Sequence, residues 1–273
     1  REGSGRDIIV YNGTSGGSNG ANVIIIDRIS NPFGDSVGSR ITSGNVDGIV
    51  GDEVIVAPGP GVPGKVRIYT LVSGKFRLLG SAANSNSDTE RNRFFPFGVD
   101  NQRGIHVGIG NFTGNAASAR EVIVSGISDS AETLGKPFIQ VYRYSGSNWL
   151  KIRELSPNNM GLGVLRVTAA DINNDGIDDI IAGTTAGEGS PSVPATPPAT
   201  TVRVFNGAGS NTTALLLSFR PYTESTDGVF VGAIDADGDG YRDIVTGCGP
   251  SCNNQVNIYD VNGRTGSFDN PNS

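Results

Sequence analysis

The sequence predicts an all-β protein, a single β-propeller domain over residues 1-273 with about five four-stranded blades, one of them incomplete at the termini. Three observations predict it. Gly 40 and Pro 14 are high for 273 residues, and the apolar residues fall in short runs with no 3.6-residue period that would mark an amphipathic helix. An acidic residue followed by a β-branched run recurs as Asp7-Ile8-Ile9-Val10, Glu53-Val54-Ile55-Val56, Glu121-Val122-Ile123-Val124, Asp179-Ile180-Ile181-Ala182 and Asp243-Ile244-Val245-Thr246. Each anchor is followed by a Gly-rich turn and a second strand, at Val23-Ile24-Ile25-Ile26, Val66-Arg67-Ile68-Tyr69, Ile139-Gln140-Val141-Tyr142, Val202-Arg203-Val204-Phe205 and Val256-Asn257-Ile258-Tyr259. A unit of four short strands cannot close its own core, so neighbouring units must stack, and a radial stack leaves only short sheet edges.

The repeat divides the chain at approximately 1-34, 35-98, 99-162, 163-227 and 228-273. The first unit opens inside a loop, Arg1 to Asp7, with no leading strand, as expected of a mature product or an excised part of something longer. The second carries Asn45-Val46-Asp47-Gly48-Ile49-Val50-Gly51-Asp52-Glu53, where Ile49 stands at the fifth position and cannot ligate a cation. In the third, Asn111, Thr113 and Asn115 hold the first positions, and Glu121 arrives two residues late, which makes these four weak metal candidates. The fourth contains Asp171-Ile172-Asn173-Asn174-Asp175-Gly176-Ile177-Asp178-Asp179 and, further on, a Pro-rich exposed loop from Gly187 to Thr200. The fifth contains Asp235-Ala236-Asp237-Gly238-Asp239-Gly240-Tyr241-Arg242-Asp243. After Val261 only Ser267-Phe268 offers a strand nucleus, so the ring is expected to close imperfectly or to take a strand from a neighbouring molecule.

The fourth and fifth loops share one spacing with a chemical reason. Side-chain oxygens at positions 1, 3 and 5, a backbone carbonyl at 7 and a carboxylate at 9 can surround one hard cation, a ligand set suited to calcium. The candidate ligands are Asp171, Asn173, Asp175, the Ile177 carbonyl and Asp179 in one loop, and Asp235, Asp237, Asp239, the Tyr241 carbonyl and Asp243 in the other. An EF-hand is excluded, because its position 12 needs a bidentate Glu and here reads Ala182 and Thr246. The strand-like runs before and after each loop make it a strand connection. The rival reading is a pair of solvated Asx turns.

On these residues the chain resembles the FG-GAP or VCBS repeat of integrin α-chain-type β-propellers. Phe33-Gly34 and Phe97-Gly98 match the FG step, Ala57-Pro58-Gly59 and Gly247-Cys248-Gly249-Pro250 the GAP step, and the nine-residue loops the calcium sites of that family. The resemblance implies about two bound Ca2+ ions with a structural role.

The formal charge of −6, with Lys and Arg scattered, excludes a nucleic-acid partner, and no stretch is long and apolar enough for membrane insertion. Cys248 and Cys252 are expected to form a disulfide; the CxxxC spacing and the lack of other cysteines disfavour redox or metal chemistry. No catalytic residue is assigned. His106 is the sole histidine, on an apparent strand, and reads as a partly exposed structural residue with no nucleophile elbow near the serines. Trp149, Phe94, Phe95 and Phe97 read as packing residues in preference to sugar-stacking ones. Sequons stand at Asn12, Asn111 and Asn211. Ser81 to Asp88 and Ser128 to Pro137 are further polar loops.

The function expected is that of a secreted, non-catalytic calcium-binding protein of the extracellular space or cell surface, acting in adhesion or recognition of a protein or glycan. The alternative is a structural subunit of an extracellular fibre, sheath or surface layer that exchanges strands with copies of itself. A polysaccharide-active enzyme module is the least favoured reading. Disulfide pairing and calcium loops both suit an oxidising, calcium-rich exterior.

Overall fold

The computed structural model describes residues 7–12, 25–34, 37–81, 87–115, 119–128, 135–190, 199–208, 215–223, 225–250, 252 and 254–261. Val23 and Ile24 of the first unit, Gly13 and Thr14 of the first sequon, the Asn211 sequon, segments 82–86, 129–134 and 191–198 of the three polar loops, and Ser267-Phe268 lie outside them.

The described residues are all-β. Strands β1 (Ile8–Tyr11) and β2 (Ile25–Ile29) form an antiparallel ribbon. The next sheet runs β3 (Ser39–Gly44), β4 (Glu53–Pro58), β5 (Val66–Val72), β6 (Lys75–Leu78), and the short β7 (Arg93–Phe94) shares the outer edge of β5 with β6. Then follow β8 (His106–Gly110), β9 (Glu121–Ile127), β10 (Pro137–Tyr144) and β11 (Trp149–Leu155), in that order across their sheet. The last two sheets are β12 (Leu165–Ala170), β13 (Asp179–Thr184), β14 (Val202–Phe205), β15 (Leu215–Phe219), and β16 (Val229–Ile234), β17 (Asp243–Cys248), β18 (Val256–Tyr259).

The expected five four-stranded blades therefore become, among the described residues, four blades and a ribbon. A blade needs an innermost and an outermost strand besides the anchor pair, and the described part of the first unit has neither. Its two strands pair with each other and lie against β6, where Ile8 and Ile29 pack with Val56, Tyr69 and Leu78. Ile41, on the innermost strand β3, is left 56% exposed by that placement.

The anchor strands are buried on both faces, which is why they read as unbroken β-branched runs instead of alternating ones. Successive side chains point to opposite faces of a strand. Val122 and Val124 accordingly join one core with Ile55, Ala57 and Val66 of the preceding blade, while Ile123 between them joins a second core with Leu165, Ile180 and Phe205 of the following blade. Ile180 and Ala182 enter that second core and Ile181 a third, with Val229, Ile244 and Tyr259. Each Val, Ile, Leu or Phe among them, removed from water, contributes about 1.5–3 kcal/mol.

The innermost strands β3, β8, β12 and β16 lie side by side. They approach closely where Gly108 faces β12: a Cβ there would stand 2.9 Å from the carbonyl oxygen of Val167. The two FG steps are alike, with Gly34 at φ +85° and Gly98 at φ +95°, each donating its N–H to the carbonyl three residues earlier. Phe94 stacks on Trp149 at 5.2 Å, and Trp149 Nε1 donates to the Arg91 carbonyl at 2.9 Å, so these aromatics do pack between blades.

Candidate metal loops

Four loops join the first strand of a blade to the anchor strand, and all four share one backbone design. The fourth residue of each has positive φ: Gly48 at 80°, Gly114 at 71°, Asn174 at 58° and Gly238 at 81°. Glycine, or the locally hydrogen-bonding Asn, is what that conformation allows. In all four the side chain at position 3 accepts the N–H of position 5: Asp47 from Ile49 at 2.8 Å, Thr113 from Asn115 at 3.4 Å, Asn173 from Asp175 and Asp237 from Asp239, each at 3.1 Å. Two-residue Asx and ST turns thus set the loop course. The glycines expected to bend the chain at position 6, Gly176 and Gly240, have φ +86° and +92°.

The anchor acids close each loop from below. Glu53 accepts the N–H of Val46 at 3.0 Å, Glu121 that of Phe112 at 3.0 Å, Asp179 those of Ile172 at 3.1 Å and Asn173 at 3.3 Å, and Asp243 that of Ala236 at 2.8 Å. All four carboxylates are buried. Burial pushes the Asp179 carboxyl up to about 6 against the lowering effect of its backbone donors, including Gly207 N–H at 2.8 Å; burial likewise raises Glu53 and Asp243. Sequence reasoning treated Asp179 and Asp243 as metal ligands and did not see this second duty. The signal was there, since an acid stands at the head of every anchor strand even where the metal positions have degenerated.

In the fifth loop Asp235, Asp237 and Asp239 are exposed, and one carboxylate oxygen from each lies within 4.8 Å of the others. Among the described residues this is the one group of three or more Asp, Glu, His or Cys side chains drawn so close. Hard oxygen donors at that separation fit a divalent cation, with the Tyr241 carbonyl next in the loop. Asp243 is not in the group. In the fourth loop Asp171 accepts from the N–H groups of Asp175 and Gly176, and the Asn173 amide donates to Asp175 at 3.0 Å, so there the side chains satisfy one another.

The weaker third loop has protein partners where a cation would stand. Glu121 Oε1 accepts from Arg143 Nε at 2.9 Å, and Asn111 Oδ1 accepts from Thr113 Oγ1 at 2.9 Å. Asp178 of the fourth loop reaches across to this one, accepting from Asn111 N–H at 2.7 Å and pairing with Arg120 at 3.4 Å. Arg120 N–H in turn donates to the Asn45 carbonyl of the second loop at 2.8 Å. Loops two, three and four are therefore clasped in series. At the opposite end of the fifth blade Cys248 and Cys252 form the expected disulfide, with Cα atoms 5.7 Å apart.

Sequence reasoning missed a cluster at the start of the innermost strands, the end away from the loops. Arg40 Nε donates to His106 Nε2 at 3.0 Å, Arg40 and Glu188 form an ion pair, and Glu188 Oε2 lies 3.2 Å from His106 Nε2. Arg166 lies over the Phe230 ring at 3.9 Å. His106 is thus mostly enclosed, and burial with the two guanidiniums pushes its pKa down to about 3.

Among the described residues the fold and loops define an all-β arrangement of propeller class with one exposed three-carboxylate group able to hold a cation. No protein-family model matches the chain, and no curated protein matches it. Among solved structures it is similar to the rhamnogalacturonan lyase YesW, with a TM-score of 0.41 and 12% identity over 82% of this chain and 50% of that one. The chain spans about half the length of that enzyme. No helix among the described residues is long and apolar enough to cross a membrane.

Proposed function

We propose that the protein is a secreted, non-catalytic calcium-binding β-propeller of the FG-GAP or VCBS repeat type, built from five repeat units and acting in adhesion or recognition of a protein or glycan partner. The observation that carries the calcium reading is the convergence of Asp235, Asp237 and Asp239 to within 4.8 Å. Three like charges that close repel by about 1 kcal/mol per pair even in water, and a divalent ion turns that repulsion into attraction. The Tyr241 carbonyl and Asp243 complete the fifth loop, and Asp171, Asn173, Asp175, the Ile177 carbonyl and Asp179 make the second site. The disulfide supports an oxidising exterior.

Calorimetric titration of the intact chain with CaCl2 tests this, alongside Asp239→Ala and Asp175→Ala. Two sites are expected, each abolished by its own substitution, and at 100-fold excess over Kd calcium should add about 2.7 kcal/mol of stability per site. Absence of heat, with melts unmoved by chelator, would reduce the loops to solvated turns and remove the calcium reading.

One observation favours the second reading, assembly with copies of itself. Phe230, Ile234 and Val256, which share the outward face of the last blade with Val245 and Ile258, are 52%, 42% and 65% exposed. Sedimentation as a monomer at high protein concentration with calcium present would eliminate it.

A further inference from the structure

The innermost strands bring one long side chain each to the same end of the fold. Arg40 and Arg166 are the second residues of β3 and β12, Phe230 the second of β16, and His106 the first of β8. Glu188 enters from the turn after β13, held there by its N–H to Thr185 Oγ1 at 3.1 Å. The metal loops join the other ends of these strands, so the cluster is a separate feature.

Its charges do not balance. Two guanidiniums face one carboxylate, and the imidazole is neutral, because its Nε2 accepts from Arg40. Glu188 is committed to Arg40. Arg166 has no carboxylate within ion-pair distance among the described residues; it gives one donor to the Val229 carbonyl at 3.2 Å and its face to Phe230, while its Nε is buried with no hydrogen-bond partner. Burial lowers the pKa of both arginines, and at Arg40 the Arg166 guanidinium lowers it further. A partly buried cation with an unsatisfied N–H is costly, and the remedy that chemistry offers is an oxyanion taking charge-assisted hydrogen bonds. The Phe230 ring covers one face of the Arg166 guanidinium, leaving its edge for hydrogen bonding.

We propose that this inner-strand mouth is an oxyanion site, in which Arg166, with Arg40 beside it, takes a single phosphate, sulfate or carboxylate group. Glu188 is the internal competitor, occupying Arg40 while the site is empty. The site goes beyond the calcium reading and does not depend on it.

The test is an amide NMR titration of the intact chain with inorganic phosphate and, separately, acetate, with sodium chloride at matched ionic strength as control, following residues around His106, Arg166 and Phe230. Saturable shifts with phosphate or acetate and none with chloride are expected; which of the two saturates assigns the ligand as phosphate-like or carboxylate-like. Arg166→Gln should weaken binding about tenfold or more. Glu188→Gln should tighten it several-fold, because it removes the competing carboxylate and frees Arg40. If Arg166→Gln does not fold, Glu188→Gln decides. Shifts that match chloride, an unchanged affinity in Arg166→Gln, or an affinity in Glu188→Gln that fails to rise would each overturn the proposal. Chelator should leave the result unchanged, which separates its failure from that of the calcium loops.

Discussion

Acidification gives the sharpest test of the electrostatics of the inner strands. His106 is held at a pKa of about 3 by burial and then by Arg40 on β3 and Arg166 on β12, with Glu188 at 3.2 Å opposing them. In the unfolded chain a histidine titrates near 6.5. Between these values the unfolded state binds more protons than the folded one, so the contribution to stability is whole above about pH 6.5 and is lost as pH falls toward 3. At pH 4.5, about two units below the unfolded value, the loss is about 2.7 kcal/mol at 1.36 kcal/mol per unit. For a domain of this size that lowers Tm by about 5–10 °C. Asp179 acts in the opposite sense. Its folded carboxyl, raised to about 6 by burial, keeps its proton more readily than the unfolded one and gains stability as pH falls through 6. The measurement is therefore the difference between wild type and His106→Gln, in which the Asp179 contribution cancels. Gln can still accept from Arg40 but cannot titrate. Calorimetric melts at pH 7.5 and 4.5 should show the variant losing about 5–10 °C less than wild type between the two. Equal losses would refute the reasoning, and so would imidazole resonances that titrate between pH 5 and 8.

Three further outcomes follow from the packing. Asp179→Ala removes the acceptor of three backbone N–H groups, from Ile172, Asn173 and Gly207, and should cost about 3 kcal/mol or more by urea unfolding, with or without calcium. Gly108→Val forces a side chain against the Val167 carbonyl and should cost about 1–3 kcal/mol, read as a lower urea midpoint at unchanged slope. Reducing the disulfide, or Cys248→Ser, opens a loop of only five residues between Cys248 and Cys252 and should cost about 2 kcal/mol in the melt.

Much of the fold was legible because the anchor strands are buried on both faces, and burial writes itself into sequence as β-branched runs. The strands β4, β9, β13 and β17 begin at Glu53, Glu121, Asp179 and Asp243, where the anchors were read, and β14 and β18 have the expected limits. The first unit was harder to read. Its second strand runs Ile25–Ile29, and an isolated hairpin with a bulge between Val10 and Tyr11 leaves no periodic signal that says whether a blade surrounds it. The candidate metal loops could be located from spacing alone because every candidate ligand of a loop lies within nine residues. Spacing could not separate two features of these loops, closure through the anchor carboxylate in all four and, in the fifth alone, a gathering of three carboxylates able to hold a cation. The inner-strand cluster was illegible for a different reason. Arg40, His106, Arg166 and Glu188 come from four distant segments, and only the relative register of separate sheets brings them together. A lone histidine on a strand gives no hint that a guanidinium is bonded to it.

The division of each anchor strand between two cores has a consequence for how this chain can vary in length. Deleting one residue from the middle of β9 would send Val122 and Val124 where Ile123 belongs and the reverse, emptying and overfilling both neighbours at once. Length change is better tolerated in the turns, and the anchors at 7, 53, 121, 179 and 243 are unevenly spaced while the strands that begin at the last four keep to six or seven residues. An extra loop can be grafted between blades at small cost, whereas a one-residue slip inside a blade would be felt on both of its faces.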